Sequence, residues 1–226
     1  MHNSWKPAAV AVFAALLLGG AHQARADFFT SRAAFDAANP GLATLLTFEG
    51  IAPAGGFVKP APNFTAQGVT FSSLLSGTSS NAISDSAFFF NTPTDVFFID
   101  RFDDSLIMDF APGVGAAGFD LALGFNGGTG TVTVFNGATL LDTRVVTLAD
   151  QTVFNNFVGF SNFGSDITRI VFASDPARSD FPLIDNVAFG RSAPQNQAIP
   201  EPGTVALLAP GLLAFTGIIV RRKTAA

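Results

Sequence analysis

The stretch GTVTVFNGATLLDTRVV, residues 130–146, decides the reading of the fold. Thr131, Thr133 and Phe135 take one side of an extended chain and Val132 and Val134 the other, the period of two that marks a strand. Asn136-Gly137 falls between two such runs and predicts a tight hairpin, because both residues tolerate the positive φ values of a two-residue turn. Working outward, residues 44–190 keep the same pattern: short runs rich in Phe and β-branched residues, broken every eight to twelve residues by Gly, Pro, Asn or Asp. That spacing predicts an all-β sandwich or barrel. The expected strands read TLLTFE, QGVTFSSL, AFFF, DVFFID, SLIMDF, GAAGFDLAL, GTVTVF, TLLDTRVVTL, TVFNNFVGF, DITRIVFA and PLIDNVAFG.

One helix precedes them. In TSRAAFDAANPG, Thr30 or Ser31 is the N-cap, Ala34, Phe35 and Ala38 share a face, and Asn39-Pro40-Gly41 stops the helix. After the last strand, RSAPQNQAI (residues 191–199) is polar and aperiodic and reads as a linker.

The ends of the chain differ from its middle. Residues 1–26 carry Lys6, an apolar run over residues 8–18 and Ala24-Arg25-Ala26, the three parts of a secretory signal peptide. The run falls short of the ~20 apolar residues of a membrane span. Cleavage by signal peptidase would leave a mature chain beginning at Asp27, and removes both His residues and the one Trp. The remaining body, residues 27–190, has no His, Cys, Trp or Tyr, and Phe supplies its aromatic packing. Most of its 24 rings are expected in the core, since Phe has no polar handle, while a few in AFFFNTPTDVFF would face water if the strands alternate.

Charge and composition exclude several functions. Residues 27–199 hold sixteen acidic and seven basic residues, a net of −9, which repels a phosphate backbone and argues against nucleic-acid binding. Ser-His-Asp and Cys-His catalysis and His-ligated zinc are excluded by the missing residue types. Glu49 paired with an Asp is the remaining acid/base option, since glycosidases use two carboxylates across a cleft. The Asp residues at 95, 100, 103, 104 and 109 read instead as turn and solubility residues, with Arg101-Phe102-Asp103-Asp104 as a hairpin turn. No catalytic residue is expected.

The C-terminal stretch AIPEPGTVALLAPGLLAFTGIIVRRKTAA has three features in order: Pro200-Glu201-Pro202, a small-residue apolar run over residues 205–220, and Arg221, Arg222 and Lys223. As a helix of ~1.5 Å rise per residue, the run reaches ~24 Å against a ~30 Å hydrocarbon core, a marginal span. The cations after it place the C-terminus in the cytoplasm and the body outside. This segment resembles the PEP-CTERM sorting signal of exported proteins in Gram-negative bacteria. The resemblance implies recognition by an exosortase, a membrane transpeptidase that cleaves near the triplet, and a membrane-anchored precursor that ends at the cell surface or in a biofilm matrix. An ordinary single-pass anchor is the competing reading, with the prolines merely opening the helix.

The body also resembles the jelly-roll-like β-sandwich found before such signals, through TLLTFEG, GVTFSS, AAGFDLAL and LIDNVAFG. In extracellular jelly rolls of this kind, an acidic residue ending the first strand and an Asp in the last strand often share a calcium ion. The resemblance puts those roles on Glu49 and Asp185. The alternative is that Asp185-Asn186 bulges the last strand and Glu49 caps a turn before Gly50. Three functions remain open from sequence: a non-enzymatic surface or matrix protein, a carbohydrate-binding module, and a polysaccharide-active hydrolase.

Overall fold

The computed structural model describes residues 27–191, apart from residues 43, 89, 103, 151, 153, 155, 162 and 176–179. The expected signal peptide, most of the linker, the Pro-Glu-Pro triplet and the apolar run at 205–220 lie outside the described residues. Among the described residues, no helix is long and apolar enough to cross a membrane.

The body is an all-β, two-sheet antiparallel sandwich with one short helix. The chain runs through β1 (Asp27–Phe29), α1 (Arg32–Ala38), β2 (Thr44–Leu46), β3 (Phe57–Val58), a 3-10 turn (Thr65–Gln67), β4 (Val69–Ser73), β5 (Asn81–Ser84) and β6 (Val96–Ile99). It continues through β7 (Leu106–Val114), β8 (Ala116–Leu123), β9 (Gly128–Asn136), β10 (Thr139–Leu148), β11 (Asn156–Ser161), β12 (Ile167–Ser174) and β13 (Pro182–Gly190). The larger sheet has the order β1-β11-β8-β13-β6-β5-β3, with β2 also paired to β13, and the smaller one the order β10-β9-β12-β7-β4.

The inner faces of the two sheets meet in a Phe-rich core that includes Phe48, Phe71, Phe97, Phe119, Phe160 and Phe172. Phe71 and Phe97 bring their ring centroids to 4.5 Å across it. The hairpin built on β9 and β10 alternates as expected: Val132 and Val134 are buried, and Thr131, Thr133 and Phe135 are partly exposed. Its turn lies one residue further on than the sequence indicates. Asn136 pairs with Thr139, so the loop is Gly137-Ala138, with Gly137 at φ +56 in the first loop position.

Other expectations are corrected. The described residues of AFFF form no strand: residues 86–88 form a turn and Phe90 is buried from a loop, while the neighbouring strand is the unanticipated β5. Arg101-Phe102-Asp103-Asp104 does not close a hairpin, because β6 belongs to the larger sheet and β7 to the smaller, so the segment crosses between sheets. The Phe residues of β6 face both ways: Phe97 joins the inter-sheet core, and Phe98 packs outside with Phe90 and Phe181. All four β6 residues are buried, the signature of a sheet covered on both faces.

The outer cover has two parts, the loop-borne cluster of Phe90, Phe154 and Phe181 and the helix α1. Ser31 caps α1, accepting from the Ala34 backbone N–H, and Phe35 is its buried residue; Ala34 is exposed and does not share the buried face. Gly118 and Gly159 pair directly across β8 and β11 and leave the slot that Phe35 and Phe157 occupy. A Cβ at Gly118 would lie 2.5 Å from Phe157 Cζ and 3.2 Å from Phe35 Cε1, and one at Gly159 2.7 Å from Phe35 Cδ2. Gly118→Ala is expected to lower unfolding free energy by about 1–3 kcal/mol through overpacking, measured by chemical denaturation. An unchanged midpoint would mean that α1 docks without the slot.

Candidate functional site

The last strand organises the outer face. On one edge β13 pairs with β8; on the other it meets two strands end to end, β6 at Leu183 and Ile184 and β2 at Val187, Ala188 and Phe189. Asp185 and Asn186 sit at the seam between them. A register shift between Asp185 and Ala188 marks a bulge there, with Asn186 at φ +50, a left-handed conformation that Asn tolerates better than most residues.

The bulge gathers polar groups. Asp185 lies directly opposite Asp120 of β8. Asn186 Nδ2 donates to Asp120 Oδ2 at 2.9 Å, so the Asn186 side chain contributes to this cluster, contrary to the alternation expected of a regular strand. Arg32 of α1 donates to the Asn186 carbonyl, stands 3.7 Å from Asp120 Oδ2 and stacks 4.5 Å above the Phe157 ring. Burial raises the pKa of Asp120, opposed by the bonds from Asn186 and Arg32, and the charge of Asp36 adds to the rise.

Asp185 is 1 % exposed. Its Oδ1 accepts from the Asn186 N–H at 2.6 Å, while Oδ2 is buried with no hydrogen-bond partner. The Thr94 hydroxyl is near enough to lower the Asp185 pKa, yet its own Oγ1 also lacks a partner in hydrogen-bonding geometry. Burial pushes the Asp185 carboxyl up to about 6, and the charges of Glu49 and Asp120 push in the same direction.

Glu49 has a visible structural task. Its Oε1 accepts from the Asp95 N–H at 3.2 Å, and Asp95 in return accepts from Gly50 N–H and Ser86 N–H, both at 2.9 Å. These bonds tie the turn after β2 to the residues before β6 and close the seam from outside. The two residues assigned to calcium thus lie within electrostatic reach of each other beside an orphaned carboxylate oxygen. An all-oxygen donor set of this kind suits a hard cation, although no three acidic side chains converge on one point among the described residues. The bulge at Asp185-Asn186 is the one the sequence offered as an alternative, whereas Asp120 and Arg32 were not anticipated; the alternation of AAGFDLAL, with Asp120 at a position that faces away from the core, is the signal for Asp120.

Beside this cluster a cleft of about 570 Å³ opens between α1, β2 and the β8–β13 pair, lined by residues that include Arg32, Asp36, Thr44, Leu45, Asp120 and Asn186. Its lining includes two carboxylates, a guanidinium, two amides and a hydroxyl together with apolar surface. Asp185 and Glu49 do not line it.

In metal-free buffer, the raised carboxyl makes Asp185 a pH-dependent liability. The folded state holds its proton more tightly than the unfolded chain, so the stabilising contribution is complete below pH ~4 and is lost as pH rises toward about 6. The expected loss is at most roughly 3 kcal/mol. Asp185→Asn should flatten this part of the stability profile, read as urea midpoints from pH 4 to 7 in chelator. A slope of equal size in the variant would assign the titration elsewhere.

No protein-family model matches the chain, and no curated protein matches it. Among solved structures, it is similar to family 29 carbohydrate-binding modules. One such module shares 15 % identity over 74 % of this chain and 92 % of its own, with a TM-score of 0.34. A point mutant of such a module complexed with mannohexaose shares 15 % over 74 % and 95 %, with a TM-score of 0.36. Another point mutant, complexed with cellulohexaose, shares 16 % over 66 % and 93 %, with a TM-score of 0.34.

Proposed function

We propose that this chain is an exported, non-enzymatic cell-surface or matrix protein whose sandwich binds polysaccharide in the cleft beside β13. The observation that carries the reading is the cleft lining. Carboxylates at Asp36 and Asp120 accept from sugar hydroxyls, Arg32 and the Asn186 amide offer donors, and Leu45 supplies apolar surface for a C–H face. The acidic body favours neutral over anionic glycans.

The hydrolase alternative built on Glu49 with an Asp is weaker on geometric grounds. Asp185 has the raised pKa of a general acid, but it is 1 % exposed and outside the cleft, so it cannot touch a glycosidic oxygen there. Glu49 lies outside the cleft as well, with its Oε1 accepting from the Asp95 N–H. Removing charged partners of a ligand by Asp36→Ala with Asp120→Asn should weaken glycan binding roughly ten- to a hundredfold. Isothermal titration with soluble neutral hexasaccharides measures this, and unaltered affinity in a folded variant would place the site elsewhere.

Calcium and sorting complete the proposal. Glu49 and Asp185, with Thr94 beside them, would hold Ca²⁺ at the seam, where the ion would supply positive charge to the orphaned Asp185 oxygen. Pro200-Glu201-Pro202, the apolar run and Arg221, Arg222 and Lys223 would act as the exosortase-processed signal, after signal peptidase has cut before Asp27. The exported protein should therefore have an intact mass spanning residues 27 to about 202 and melt higher in Ca²⁺ than in chelator. Asp185→Ala and Glu49→Ala should abolish the calcium shift. A mass running to Ala226 removes the processing, and identical melts in both buffers remove the ion.

A further inference from the structure

Four rings are held half-exposed on the described surface: Phe57 at 46 %, Phe88 at 43 %, Phe102 at 46 % and Phe125 at 42 %. They come from separate places in the chain, namely β3, the 86–88 turn, the crossing between sheets and the 124–126 turn. A common layer of buried rings supports them. Phe57 and Phe88 stack at 5.6 Å with 26° between their planes, and with Phe98 and Asp100 they enclose a shallow depression of about 40 Å³. Phe98 packs edge-on against Phe90 and Phe181, at 5.0 and 6.1 Å. Phe181 in turn carries Phe102 at 4.2 Å, while Phe125 stands 5.6 Å from Phe90 and 5.8 Å from Phe181.

Three features distinguish this set from leftover apolar surface. The underlying rings are nearly fully buried, so the exposed ones are fixed from below. Phe125 adopts φ +72, a costly conformation for a bulky side chain, to take its place. Finally, Lys59 Nζ and Asp100 Oδ2 pair at 2.7 Å beside the Phe57–Phe88 stack, giving it polar groups of both signs that neutralise each other.

We infer that these rings form a second carbohydrate surface, distinct from the cleft, against which an extended, uncharged polysaccharide chain lies. Neutrality follows from charge: the net −9 of residues 27–199 disfavours a polyanion, and the Lys59–Asp100 pair offers hydrogen-bond partners to hydroxyls rather than a counter-charge. Sugar C–H faces cover the rings while their hydroxyls reach this pair. No residue is shared with the cleft lining, so the two surfaces separate by mutation.

The inference rests on the polysaccharide-binding reading, and the test keeps the two apart. The full exported protein is assayed for retention on amorphous cellulose and on insoluble mannan, with polygalacturonate as a charged control, and for titration with cellohexaose and mannohexaose. Phe57→Ala with Phe88→Ala, and Phe102→Ala with Phe125→Ala, should each reduce retention more than tenfold. Phe57→Leu with Phe88→Leu keeps apolar bulk and should lose retention equally, because the ring face makes the contact. Full retention by the Leu pair, or by both Ala pairs, overturns the aromatic surface while hexasaccharide binding still upholds the cleft. Stronger retention on polygalacturonate than on either neutral polymer overturns the stated ligand class. A wild-type protein that binds no soluble or insoluble glycan sinks both proposals.

Discussion

The central strands of the larger sheet are buried on both faces, and the rest of the structure depends on that constraint. Its strands β5 and β6 expose no residue, and β8 and β13 are almost entirely buried. One face is covered by the smaller sheet, but the other needs a separate cover, because desolvating Phe-rich strands stabilises the fold only if water is kept from both sides. The helix and the long connections supply it in two blocks, α1 with Phe35 and the cluster of Phe90, Phe154 and Phe181.

Polar chemistry sits where a strand pairing is interrupted. At the seam between β2 and β6, β13 bulges, and Asp120, Asp185, Asn186 and Arg32 collect over the outer face. Loss of hydration raises both carboxyls from their ordinary value, and like charge adds to it, from Glu49 and Asp120 at Asp185 and from Asp36 at Asp120. Asn186 and Arg32 offset this for Asp120, whereas Asp185 keeps an unsatisfied oxygen. The same bulge therefore shapes the floor of the open cleft and leaves a buried charge beside it.

Phe alone performs the packing that Trp and Tyr share in most domains. Without a polar handle, a Phe ring has little reason to stand at the surface unless a layer beneath it holds it there. The chain uses its connections for this: residues after β5, β6 and β8 carry rings over the outer face, so segments that look like linkers in sequence are structural cover.

By itself, the sequence determined the all-β class, a helix N-cap at Thr30 or Ser31, the boundaries of β10 and β13, and the absence of His and Cys from residues 27–190. Period-two alternation, capping and residue inventory are local properties, readable without knowing which segments meet. The pairing of Glu49 with Asp185 came from the jelly-roll resemblance rather than from these residues alone; in the structure the Glu49 charge helps to raise the Asp185 pKa. Only the tertiary structure decided that AFFF is loop and NAIS is strand, because burial on both faces of the larger sheet erases the alternation that tells them apart. It alone decided that Asp120 faces Asp185, that Asn186 stays with them and that Arg32 closes the group. Those contacts join residues up to 154 positions apart through a bulge and a seam, and strand order and register are set by the whole core rather than by any one segment.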